Sequence, residues 1–194
     1  MSGARRRAGA AVLVLAALAL GRLVSDALPG GDGLEQPFVR SGSVGAQVAL
    51  RYARVTAGTP TGSTVADDGA ALLATPGVWV AVPLTVLAED EPRRLAYAAL
   101  VGSDGRTYEA DGVRSRLTIG SATPGIAHHG QVLVELPADA AAGAHLRIAL
   151  HPWDQRADDV ADIDLEITPA DVTRWLAASE PVVVTPATDL PVEP

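Results

Sequence analysis

Four histidines, 23 acidic residues and 15 basic ones are the side chains with which this 194-residue chain could do chemistry. His128 and His129 suggest a metal site. Adjacent residues on a strand point to opposite faces, so this pair could chelate one ion only from a loop. Otherwise they read as solvent-facing turn histidines. His145 and His151 can share a strand face, but a regular strand separates them by about 20 Å. No His-Glu-x-x-His or comparable ligand spacing occurs. The stretch Asp154, Asp158, Asp159, Asp162, Asp164 and Glu166 offers the oxygen ligands that Ca²⁺ prefers. It lacks an Asp-x-Asp-x-Asp-Gly loop, and strand alternation makes Asp162, Asp164 and Glu166 a solvated face. Carboxylate pairs for glycoside cleavage are available, yet three Trp and three Tyr leave little for a sugar platform. A Gly-x-Ser-x-Gly elbow is absent. Trp79, Trp153 and Trp175 suit core or seam positions better than a binding box. The sequence therefore assigns no catalytic, cofactor-binding or metal-ligating residue and implies no cofactor.

The missing residue types exclude more. Without cysteine there is no disulfide scaffold, thiolate metal site, cysteine nucleophile or lipid-modified anchor. Every basic residue is arginine, and asparagine is absent as well. That removes a lysine Schiff base, a P-loop lysine and N-glycosylation. A net charge of −8 is a poor match for phosphate backbones, so nucleic acid is not an expected partner. Ala, Gly, Pro, Val and Arg dominate, as in a GC-rich bacterial genome. With 48% hydrophobic and 20% charged residues the chain is long and apolar enough for one folded domain plus appendages.

The N-terminus carries an export pattern. Arg5, Arg6 and Arg7 precede the uncharged run Ala8 to Gly21, and Arg22 follows. Basic residues before an apolar stretch hold the N-terminus in the cytoplasm while the stretch enters the bilayer. Ala8 to Val24 reaches the roughly 17 residues of a minimal span if Arg22 snorkels to the outer interface. Ser25-Asp26-Ala27 offers an alternative cleavage site, with Asp and the preceding Gly21-Arg22 counting against it. The balance favours an uncleaved signal anchor. Residues 1–22 hold four arginines and no acid, leaving −12 on the remainder against −8 for the whole chain. The expected organisation is a cytoplasmic basic segment at 1–7, a transmembrane anchor at 8–24, a linker at 25–37, a sandwich at 38–186 and a frayed tail at 187–194.

From Val44 onward the punctuation is that of strands. Val48, Leu50 and Tyr52 share one face of a period-two pattern. Residues 57–70 are small and polar and read as a loop. Val78 to Leu87 is the strongest strand, with Val78, Val80, Val82, Leu84 and Val86 on one face; Pro83 argues for an edge or a bulge. Leu95 to Val101 and Arg106 to Ala110 flank Ser103-Asp104-Gly105, a hairpin turn. Further strands are expected at Val113 to Ile119, Val132 to Leu136, His145 to Leu150, Asp162 to Ile167 and Val182 to Val184. Thr168-Pro169-Ala170-Asp171 starts the one expected helix, Asp171 to Ala178, whose inward stripe is Val172, Trp175 and Leu176. Short strands at roughly ten-residue spacing predict an all-β, antiparallel sandwich.

One stretch is similar to a known family. Pro124-Gly125, Gly130 and the strand Gln131 to Pro137 resemble a segment of secreted or membrane-anchored immunoglobulin-like domains of unknown function from Gram-positive bacteria. Ser41-Gly42-Ser43-Val44-Gly45, Val78 to Leu87 and Asp104-Gly105-Arg106-Thr107-Tyr108 match the same pattern. The resemblance covers about Phe38 to Leu150. Val134 stands where the family has Phe, and Glu89-Asp90-Glu91-Pro92 replaces its Asn-containing turn. The resemblance implies an immunoglobulin-like sandwich in an extracytoplasmic setting and transfers no catalytic residue. The expected function is a membrane-tethered, non-enzymatic binding or structural module of the cell envelope, its partner a protein or envelope component. The alternative is an envelope hydrolase or carbohydrate-active domain using paired carboxylates.

Overall fold

The computed structural model describes Arg22 and residues 37–110, 116–151 and 158–191. The expected basic segment, anchor and linker lie outside the described residues, save for Arg22 and Pro37. Among the described residues no helix is long and apolar enough to cross a membrane.

In chain order the strands begin with β1 (Phe38–Ser43), β2 (Gln47–Ala49), β3 (Ala53–Ala57), β4 (Thr61–Asp67) and β5 (Leu72–Ala88). There follow β6 (Arg93–Arg94), β7 (Tyr97–Val101), β8 (Thr107–Glu109), β9 (Arg116–Leu117), β10 (Ser121–Ala122) and β11 (Ile126–Leu136). The helix α1 (Ala138–Ala141) precedes β12 (His145–Ala149) and β13 (Asp159–Asp164). The chain ends with α2 (Pro169–Leu176), β14 (Val182–Val183) and β15 (Thr188–Pro191).

Two sheets make a β-sandwich. One runs in the order β1-β13-β12-β7-β8. The other runs β14-β4-β5-β11-β15, with β3 also on β5, β2 on β3 and β9 on β11; β6 and β10 form a separate ribbon. The main core lies between the sheets. Val78, Val80, Val82, Leu84 and Val86 of β5 meet Leu100, Leu146, Ile148 and Ile163 there, all fully or nearly fully buried. Each such side chain contributes about 1.5–3 kcal/mol by leaving water. The alternation expected for β5 and β11 is thus the alternation observed, while that expected from Asp162 to Ile167 holds only to Asp164, where β13 ends.

Several expectations need correction. The sandwich is not wholly antiparallel, because β1 runs parallel to β13 and β14 parallel to β4. Alternation marks faces but carries no direction, and neither pair is joined by a hairpin that would impose one. The stretch 57–70 is not a loop, since β4 occupies its centre. Its small residues serve close packing: a Cβ on Gly62 would lie 2.5 Å from Trp175 Cδ2. Pro83 is in the interior strand β5, opposite Gln131 of β11. Its carbonyl accepts the Gly58 N–H at 2.8 Å. The N–H and C=O of one strand residue point the same way, so the donor that Pro83 lacks would face the β3–β4 connection, where no ladder bond is lost. A second short helix, α1, follows Pro137. The expected frayed tail at 187–194 is also corrected: its residues Thr188–Pro191 form β15, antiparallel with Ile126–His129 of β11.

The strand β5 is bent as well as long. Its register with β4 shifts between Ser63 and Val65, and Pro76-Gly77 falls within the irregularity. A Cβ on Gly77 would lie 2.3 Å from the Leu136 carbonyl oxygen, so only glycine fits. The bend brings Leu73 back toward Trp79, whose Nε1–H donates to the Leu73 carbonyl at 2.8 Å. A satellite core of Trp79, Ala81, Leu133, Ala66 and Val182 results, with Leu73 and Val184 packed on it. Residues 184–187 link β14 to β15. Val184 N–H reaches the Asp67 carbonyl at 2.8 Å, and Thr185 N–H reaches Gln131 Oε1 at 3.1 Å.

Candidate functional site

Polar side chains converge where three connections meet: β2–β3, β5–β6 and β12–β13. Arg51, Tyr52, Asp90, Glu91, Arg93, Leu150 and Asp158 line a cleft of about 320 Å³ there. Tyr52 ends the alternating run that begins at Val48, so its ring is buried while its hydroxyl donates to the Asp159 carbonyl at 2.7 Å. Arg51 bridges the first and third connections: its guanidinium pairs with Asp158, and its N–H donates to Asp159 Oδ2 at 2.9 Å. Arg93, the first residue of β6, pairs with Glu91 of the second. At the margin Arg54 holds Glu89 in a two-pronged pair, at 2.7 and 3.1 Å.

Asp159 anchors the arrangement from below. It is 1% exposed, and Arg40 Nε lies 3.4 Å from its Oδ1. The Asp158 carboxylate raises the pKa of Arg51, first by hydrogen bonding and then by charge. Hydrogen bonding from Arg54 lowers that of Glu89. The cleft therefore presents two guanidinia among three carboxylates. It can meet a ligand bearing both hydrogen-bond donors and acceptors, or a partner loop of mixed charge.

A larger, mostly apolar cleft of about 610 Å³ lies where the β5 bend meets the β11–α1 turn. Thr75, Pro76, Gly77, Leu136 and Pro137 form its walls, with Glu135 and Asp139 among the lining residues.

The histidines are not brought together. His128 and His129 lie within β11, not in an exposed turn, because the chain continues in register with β5 through both. His128 is 6% exposed. Its Nε2 accepts the Thr123 N–H at 2.9 Å, so the ring proton sits on Nδ1, 2.6 Å from Asp189 Oδ1. Nδ1 of His129 is 3.0 Å from Thr85 Oγ1. His145 shares Asp162 with Arg147, each at 3.1 Å. His151 is exposed.

The acidic stretch is likewise dispersed. Asp158 and Asp159 belong to the cleft, Asp162 faces His145 and Arg147, and Asp164 Oδ1 accepts the Glu166 N–H at 2.9 Å. Asp154 lies outside the described residues. Among the described residues no cluster of three or more His, Asp or Glu could hold a metal ion. Trp79 and Trp175 are core residues; Trp153 lies outside the described residues. The signal that could have located the cleft was charge at turn positions, at Arg51, Glu89-Asp90-Glu91 and Asp158. Spacing alone does not bring those turns to one end.

No protein-family model matches the sequence, and no curated protein does. Among solved structures the chain is similar to an uncharacterized β-sandwich protein from Clostridium difficile 630. The two share 10% identity over 66% of this chain and 96% of that one, with a TM-score of 0.43.

Proposed function

We propose that this chain is a membrane-tethered, extracytoplasmic sandwich of immunoglobulin-like type, acting as a non-catalytic binding or structural module of the bacterial cell envelope. The observation that carries the binding role is the mixed-charge cleft at Arg51, Arg93, Asp90, Glu91 and Asp158. Connections that converge at one end of a rigid sheet scaffold are where binding residues concentrate. The tether rests on Arg5 to Arg7 followed by Ala8 to Val24.

The test is capture from crosslinked bacterial membranes, with mass spectrometry of what is recovered. The wild-type chain should repeatedly capture the same envelope protein, and Arg51→Ala/Arg93→Ala should lose it. Exposed ion pairs are worth about 0–1 kcal/mol each, so the double variant keeps its fold. Equal capture by both chains would remove the cleft from the proposal.

The alternative hydrolase reading finds its best seat in the larger cleft, where Glu135 and Asp139 both line the wall. Hydrolysis of peptidoglycan or an envelope polysaccharide by the purified chain, abolished in Glu135→Gln, would favour it.

A further inference from the structure

The C-terminal strand β15 contributes little side-chain burial. Thr188, Asp189 and Leu190 are all exposed. What holds the strand is its ladder with Ile126–His129 and the contact between Asp189 and His128. The edge that it covers is different in character. His128 is almost fully buried, and the Thr123 N–H fixes its tautomer, so Nδ1–H must find an acceptor at that edge. A vacated edge would expose a row of main-chain groups together with that buried donor, a template for another strand.

We propose that the Ile126–His129 edge of β11 is a strand-docking site that reads a carboxylate through His128, and that its occupant in trans is the Asp189-bearing strand of a second copy of this chain. The second copy is complementary by construction. Its β15 remakes the same ladder and the same Asp189–His128 contact, so exchange gives up no specific interaction. Between Thr185, whose N–H stays on Gln131, and β15, the exposed Pro186-Ala187 can act as the hinge. This inference goes beyond the envelope-module proposal and does not depend on it.

The absence of native cysteine allows a direct test. Ala127 and Leu190 are cross-strand partners, one register position from the His128–Asp189 pair and on the opposite face of the strands. In the full-length chain, Ala127→Cys/Leu190→Cys should form an intrachain disulfide on mild oxidation, which reports that β15 is seated. When full-length Ala127→Cys and Leu190→Cys chains are mixed and concentrated, a disulfide-linked heterodimer should accumulate. It should form at least tenfold faster than one between Leu72→Cys and Leu190→Cys chains, since exposed Leu72 is outside the docking edge. Adding Asp189→Asn to the Leu190→Cys chain should slow linkage at least fivefold. An intrachain disulfide without trans linkage would overturn the proposal, as would trans linkage at the Leu72 control rate. Linkage indifferent to Asp189→Asn would overturn the role of His128.

Discussion

Glu166 is held at φ 54°, a left-handed conformation, where the chain leaves β13 and turns toward α2. Its side chain is exposed, so the conformation is imposed by the backbone path and the Asp164 bond to its N–H. A side chain there costs about 1–2 kcal/mol, while glycine costs about 0.5–1 kcal/mol through the unfolded chain. Glu166→Gly should therefore raise the unfolding free energy by up to about 1.5 kcal/mol, read from urea midpoints. A lower midpoint would show that the glutamate side chain contributes to the fold. Five residues on, Asp171 accepts hydrogen bonds from the Thr168 hydroxyl and N–H and pairs with Arg174, which lowers its pKa from 3.8 to about 2. A depressed carboxylate stabilises the fold above its unfolded pKa, and that contribution disappears as pH falls from about 4 toward 2. Thermal melts of wild type and Asp171→Asn should differ most near neutral pH and converge by pH 2. A difference that persists undiminished to pH 2 would contradict this assignment. The cap was readable because Thr, Pro and Asp each act within four residues; the strain at Glu166 was not, because it arises from where β13 and α2 are held.

At the scale of elements, α2 shows both what local pattern carries and what it omits. The capping box at Thr168 and Asp171 forms as the residues suggest, but the helix spans Pro169–Leu176, two residues earlier than the expected Asp171 to Ala178. Val172 and Trp175 face the core, but Leu176 is 45% exposed, contrary to the expected three-residue stripe. The helix docks against β4, and Trp175 lies over Gly62, so the contact is narrower than the helical face. Eight residues cannot sustain a helix in water without such docking. Trp175→Ala should cost about 3–5 kcal/mol in unfolding free energy. An unmoved melting temperature would mean that α2 is not held by this ring. Long β strands were legible from their alternation. The strand β4 was not, because smallness looks alike whether it serves a loop or lets an indole approach a backbone. The strand β15 was also hidden, since a four-residue edge strand held by main chain has no apolar face to reveal it.

For the whole molecule, the topology is directly testable. External protease added to intact cells should remove the sandwich and leave a short N-terminal fragment with the membrane. A cleaved signal would instead release a chain beginning near Leu28, and protection of the entire chain would refute the extracytoplasmic placement. The sandwich was legible as a whole because alternation recurs along the chain. The cleft was not, since Arg51 and Asp158 lie about 110 residues apart and only the completed sheets bring them together. The parallel pairing of β1 with β13 has a further consequence, in time. Phe38 finds its register opposite Asp159, about 120 residues later. At about 5–20 residues per second of synthesis, a chain emerging N-terminus first waits roughly 6–24 s between the appearance of these two strands. Until then its first strand has no native neighbour in that sheet. Such non-local closure slows folding, and this sheet can be completed only once Asp159 has emerged.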